Sequence, residues 1–130
     1  MKKLFYILLI AVALLALAAC GAKSEKPARA FFDALENHDF TTAKSHTTEQ
    51  GQQLLEMLES FAESMSEEQR TEMNKTRYNI LKTVEDKDSA IVTFEKWETD
   101  RPDEKSVHEL KMVKIDGIWK VDLAKEDLDK

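Results

Sequence analysis

Three imidazoles, His38, His46 and His108, are the groups in this sequence best suited to proton transfer near neutral pH, where a histidine changes charge. His108 sits two and four residues before Leu110 and Met112, and on a strand that spacing puts all three on one face. It reads either as a half-buried strand histidine or as an acid–base group reaching into a pocket. His38 and Asp39 adjoin at a helix junction, where a helix end and a cap account for them. A zinc site needs three or four converging ligands, and no Cys/His spacing announces one, so no metal is expected. Glu63, Glu67, Glu68 and Glu72 lack the spacing of a calcium loop and read as a solvated helix face. No Gly-x-Ser-x-Gly is present. Gly21, Gly51 and Gly117 are the only glycines, too few for a phosphate-cradling loop, so no cofactor is expected. Tyr78, Trp97 and His108 are the candidates to line a pocket, with core packing the plainer reading of the two aromatics. Met57, Met65, Met73 and Met112 read as gap-filling core residues.

The only thiol, Cys20, has a different context. Met1-Lys2-Lys3 is a short positive region, Leu4 to Ala19 is uncharged and apolar, and Leu17-Ala18-Ala19-Cys20 closes the run. That order is the order of a secretory signal. The apolar run is shorter than the roughly 20 residues that span a bilayer. Its end resembles the lipobox of bacterial lipoproteins: a branched apolar residue, two small ones, then cysteine. The resemblance implies cleavage of residues 1–19, a diacylglyceryl thioether on Cys20, and further acylation of the new amine. Each buried CH₂ of such a chain contributes about 0.8 kcal/mol, so the acyl chains are the expected membrane partner. Residues 20–26 would then be a lipidated cysteine and a short tether, reaching about 20 Å at most after the cysteine. The expected location is the cell envelope: the outer membrane in a Gram-negative host, otherwise the outer face of the cell membrane.

The remainder, 27–130, reads as a single domain. Losing Lys2 and Lys3 takes the chain's formal charge from −6 to −8. An acidic domain is repelled by phosphate backbones, so no nucleic-acid partner is expected.

The elements that would position these side chains change period midway. Ala28, Phe31, Phe32 and Leu35 fall at i, i+3, i+4 and i+7 after Pro27, which suits a first turn. Asn37 is the expected stop, and Asp39 the cap of a short second helix with Phe40 and Ala43 inward. Thr47 and Gln50 have capping-box spacing before a third helix carrying Leu54, Leu55, Leu58, Phe61, Ala62 and Met65. Ser66 and Gln69 repeat the box before another short helix ending near Met73. From Thr76 onward, β-branched and aromatic runs predict strands at 76–84, 89–97, 106–115 and 118–123. Glu85 to Asp88 is a tight connection, Glu98 to Lys105 a longer polar one, and Asp116-Gly117 a two-residue hairpin turn. Helices followed by a four-stranded antiparallel meander give an α+β fold, with the N-terminal helices packed on one face of a curved sheet.

Pro27 to Leu35 and Asp39 to Lys44 resemble the opening helix pair of small bacterial lipoproteins that carry a domain of unknown function. Those domains belong to the nuclear-transport-factor-2-like (NTF2-like) superfamily. Asp88 to Val92 and Leu110 to Val121 resemble its later strands. The resemblance implies a cone-like domain, a pocket between helices and sheet in some members, and dimers formed through the sheet in many. It carries over no catalytic set. The expected role is therefore a non-enzymatic envelope lipoprotein that binds a protein or a small ligand, with a homodimer open. The alternatives are a pocket enzyme of isomerase or dehydratase type using His108 or Tyr78, and an inhibitor of an envelope enzyme.

Overall fold

The computed structural model describes residues 23–123. The expected signal peptide, Cys20 and residues 124–130 lie outside them. Four helices precede four strands: α1 (Glu25–Glu36), α2 (Phe40–Ser45), α3 (Glu49–Glu63) and α4 (Glu67–Met73), then β1 (Thr76–Glu85), β2 (Ser89–Glu98), β3 (Arg101–Ile115) and β4 (Ile118–Val121). The strands form one antiparallel sheet in chain order, β1-β2-β3-β4. The helices cover one face of it, as the change of period predicts. No helix among the described residues is long and apolar enough to cross a membrane.

α1 starts at Glu25, so two residues assigned to the tether are helical and Pro27 lies in the first turn. Its stripe is the predicted one, with Ala28, Phe31 and Phe32 buried. Asn37 ends the helix, and the amides of His38 and Asp39 return to the carbonyls of Leu35 and Ala34 at 3.2 and 2.8 Å. This is a Schellman closure, which needs a left-handed residue after the cap. Here that residue is His38, with φ 53°. Asp39 then caps α2, accepting from the Thr42 amide at 3.1 Å and the Thr42 hydroxyl at 2.6 Å. These bonds to the charged form hold its carboxyl below the usual carboxylate range.

The cap of α3 differs from the expected one. Thr48, not Thr47, accepts from the Gly51 amide. Thr47 is buried and donates to the Lys44 carbonyl at 2.9 Å. The reason is tertiary: this turn docks on β4 as a parallel bridge, Thr47 to Val121. The Thr48 amide donates to the Val121 carbonyl at 2.9 Å and the Val121 amide to the His46 carbonyl at 2.7 Å. The outer edge of β4 is thereby covered. Gly51 completes the dock, since a Cβ there would stand 3.1 Å from Cβ of Thr47. The Ser66–Gln69 capping box is present in full.

Two irregularities bend the sheet. β1 bulges at Leu81, between the pairs Ile80–Phe94 and Lys82–Thr93. An extra residue reverses which side chains face the helices. Tyr78 and Ile80 therefore face the core, while Val84, which strict alternation would put on the same face, is 55% exposed. In β3, Lys96–Ser106 is followed directly by Glu98–Arg101, leaving Pro102 to Lys105 without cross-strand partners. The predicted connection of 98–105 is thus a tight turn at Thr99-Asp100 followed by a bulged, extended stretch. A proline is tolerated there because no ladder bond is required of it. At the other end, Asp116 (φ 53°) and Gly117 (φ 79°) make the hairpin expected from their types.

Among the described residues the core runs from Ala28 to Leu123. A segment that carries its own core meets the condition for folding alone. Trp119, Val121 and Leu123 are buried as their alternation predicts. Phe61 and Met57 are not: they are 58% and 69% exposed, on the side of α3 turned away from the buried Leu55 and Ala62.

Candidate functional site

Cross-strand partners in a sheet share a face. The pair Phe94–His108 and the row Tyr78–Lys96–Ser106 therefore present five side chains toward the helices. Below them α1 contributes Phe32, whose ring stacks on Tyr78 at 5.0 Å and meets Phe94 at 4.7 Å. Phe31 lies 5.8 Å from Phe32, and the His108 ring 5.7 Å from Phe94. The Glu36 carboxylate accepts the Tyr78 amide at 2.9 Å, fixing α1 against the outer edge of the sheet.

Between this aromatic floor and the helices lies a cavity of about 780 Å³, within the range of about 300–1,000 Å³ usual for ligand pockets. Leu55 and Leu58 of α3, Phe40 of α2 and Met73 of α4 form its roof and walls. Among the described residues its opening lies beyond the end of β4. β4 covers β3 only from Met112 to Ile115, and the last link, from the Asp122 amide to the Lys111 carbonyl at 2.9 Å, lies just beyond. From Lys111 back toward Val107 the β3 edge borders the opening.

The cavity's polar groups are few. Tyr78 is largely desolvated and faces the negative charge of Glu36, which together push its phenol up to about 12. It is thus a neutral hydroxyl at any physiological pH. Among the described residues it has no hydrogen-bond partner for that hydroxyl. His108 Nε2 lies 2.8 Å from Ser106 Oγ. Lys96 is half-buried at the rim. His38, in its left-handed conformation, borders the same opening.

Of the three sequence candidates, the structure brings Tyr78 and His108 together on this cavity and leaves Trp97 out. Trp97 pairs with Arg77 on the opposite face, under the Lys105 ammonium at 4.8 Å. It lines a second hollow of about 250 Å³ beside Arg101, Glu104 and Ser106, which shares Thr76 and Lys96 with the cavity. The alternation itself carried that information, since Trp97 is an odd number of residues from Phe94. Lys96 went unnoticed because its place depends on pairing with both Tyr78 and Ser106. Among the described residues, no three His, Cys, Asp or Glu side chains gather as metal ligands do. His46 is remote from the cavity, where burial and the Lys120 charge push its imidazole below the ordinary value of 6.5.

A solved structure from Campylobacter jejuni, described as a candidate NTF2-like transpeptidase, superposes with a TM-score of 0.53, covering 79% of this chain and 100% of that one at 17% identity. The fold is NTF2-like. Neither a protein-family model nor a curated protein matches the sequence. At that identity the likeness speaks for the fold alone, so the chemistry rests on the cavity.

Proposed function

We propose that this chain is a lipid-anchored lipoprotein of the bacterial envelope whose NTF2-like domain is a binding module for a small, largely apolar ligand. The observation that carries the binding half is the cavity of about 780 Å³, walled by Phe31, Phe32, Phe94, Leu55 and Leu58. Apolar surface kept open in a folded domain is a standing cost unless something covers it, which favours a cognate ligand. The anchor half rests on Leu17-Ala18-Ala19-Cys20. Held on a short tether, the domain would receive its ligand at or near the membrane surface.

The test of binding uses Nile red, a neutral apolar dye, with residues 23–130. The dye should brighten on the domain, and Leu58→Arg, on the cavity wall, should abolish the gain. A folded Leu58→Arg variant with undiminished signal overturns the reading. The anchor is tested by the intact mass of the membrane-extracted protein: acyl mass on a chain starting at Cys20, absent in Cys20→Ala, is the expected result.

One observation favours a second reading. His108 and Ser106 are within hydrogen-bond distance at the cavity's edge, as a general base and the hydroxyl it activates would be. A proton-transfer or acyl-transfer enzyme would lose turnover with His108→Gln while keeping its affinity for the ligand. Unchanged turnover in that variant removes this reading.

A further inference from the structure

One cation stands on the inner side of the cavity rim. Lys96 is the one charged side chain whose strand position puts it on the inner face of the cavity lining, two residues from Phe94 and between Tyr78 and Ser106. Among the described residues it makes no ion pair; Glu95 and Glu98 face other cations, while Glu36 keeps its charge on the Tyr78 side. Glu95 is held by Asn79 at 3.1 Å and faces Lys105 at 3.8 Å. Glu98 is paired with Arg101. Glu36 accepts the Tyr78 amide. The other charges on the lining, Glu109 and Lys111, are exposed and opposite in sign. The chain as a whole carries −6.

We infer that the ligand is a single-chain amphiphile with a carboxylate head, a fatty acid in chemical class, its chain on the aromatic floor and its head at Lys96. Among the described residues the free donors around Lys96 are its own ammonium and the Tyr78 phenol, with the hydrogen-bonded Ser106–His108 pair beside them. A carboxylate is acceptor-only, with two oxygens to receive such bonds. One lysine suits a monoanion; a phosphate monoester would bring about two charges to a single cation. The low-dielectric wall beside Lys96 strengthens the pairing over its value in open water.

This inference rests on the binding reading above, and the test separates the two. Dodecanoate, dodecanol and dodecyltrimethylammonium, all below their micelle concentrations, are titrated calorimetrically into residues 23–130 and into Lys96→Met, which keeps the stem and removes the charge. Dodecanoate should bind tightest, and Lys96→Met should weaken it by about tenfold to a hundredfold while dodecanol is unchanged. Retained dodecanol binding shows that the variant is folded. If dodecanol binds and Lys96→Met affects neither it nor dodecanoate, the anionic head is wrong and the cavity reading stands. Tightest binding of the ammonium compound likewise overturns the head group alone. If none of the three binds, both readings fall.

Discussion

The inner face of the sheet has two ends built from the same strands, one sealed and one open. At the sealed end Ala90, Val92, Met112, Trp119 and Val121 are all at most 6% exposed, closed over by α1, α2 and the turn that bridges to β4. At the open end the same strands carry Tyr78, Phe94, Lys96 and His108 around a cavity. The residues alternate in the same way along both ends. What differs is the fourth strand: β4 lies beside Met112 to Ile115 and stops. Core and cavity floor are one surface, and the first gives way to the second where β4 ends.

The sharpest way to break this comparison is to truncate one side chain at each end. Met112→Ala should cost about 2–5 kcal/mol, because the packed end cannot collapse into the void. Leu58→Ala, on a wall that already faces open space, should cost clearly less. Urea unfolding midpoints check the pair; equal losses would mean that the cavity is closed in solution.

Next is the seam that seals the end. Thr48→Ala removes the α3 cap at the bridge to β4 and should cost about 1 kcal/mol. Thr47→Ala should cost about as much, since it removes the bond from a buried hydroxyl to the Lys44 carbonyl and the packing of its methyl group. Thermal melts of the two variants test this.

The open end carries backbone strain. His38→Gly relieves a left-handed residue and should stabilise by about 1 kcal/mol. The same substitution removes a ring from the cavity mouth, so stability should rise without a gain in ligand affinity.

The smallest effects are protonic, and their signs differ between the ends. Tyr78 is the only tyrosine in residues 23–130, so phenolate absorbance should titrate in one step near 12. Its raised value favours the protonated form in the fold. That contribution is present below about 10 and is lost as pH rises toward 12. His46, beside the sealed seam, has a lowered value, which favours its neutral form. Stability is full above 6.5 and falls as pH drops below it, through the folded value. His46→Gln should flatten the melting temperature over that acid range and leave Tyr78 untouched.

Much of the fold is legible without coordinates because it depends on local chemistry. The stripe of Ala28, Phe31, Phe32 and Leu35, the stop at Asn37, the Ser66–Gln69 box and the Asp116-Gly117 turn each require only residues within one or two helical turns of each other. So does the placement of His108 on the face of Leu110 and Met112. The differences from the sequence reading have more than one cause. Val84 turned outward because a bulge at Leu81, which no residue type announces, shifted the period. Phe61 and Met57 are exposed because helical spacing says which residues share a face, not how far the sheet beneath extends. Trp97 was grouped with the pocket by its chemistry, although its spacing from Phe94 set it on the other face.

The sequence by itself determined the order of helices and strands, the apolar stripe of each, the caps and turns that end them, and the signal-like N-terminus with its cysteine. These are fixed by interactions over a few residues, where side-chain type and spacing carry the energy. Only the tertiary structure decided that Thr47 is buried and Thr48 caps, that β4 stops where the cavity begins, and that Lys96 stands between Tyr78 and Ser106 at its rim. Those facts depend on register between segments distant in the chain, and register is set by the sum of many weak packing contacts that no short stretch of sequence contains.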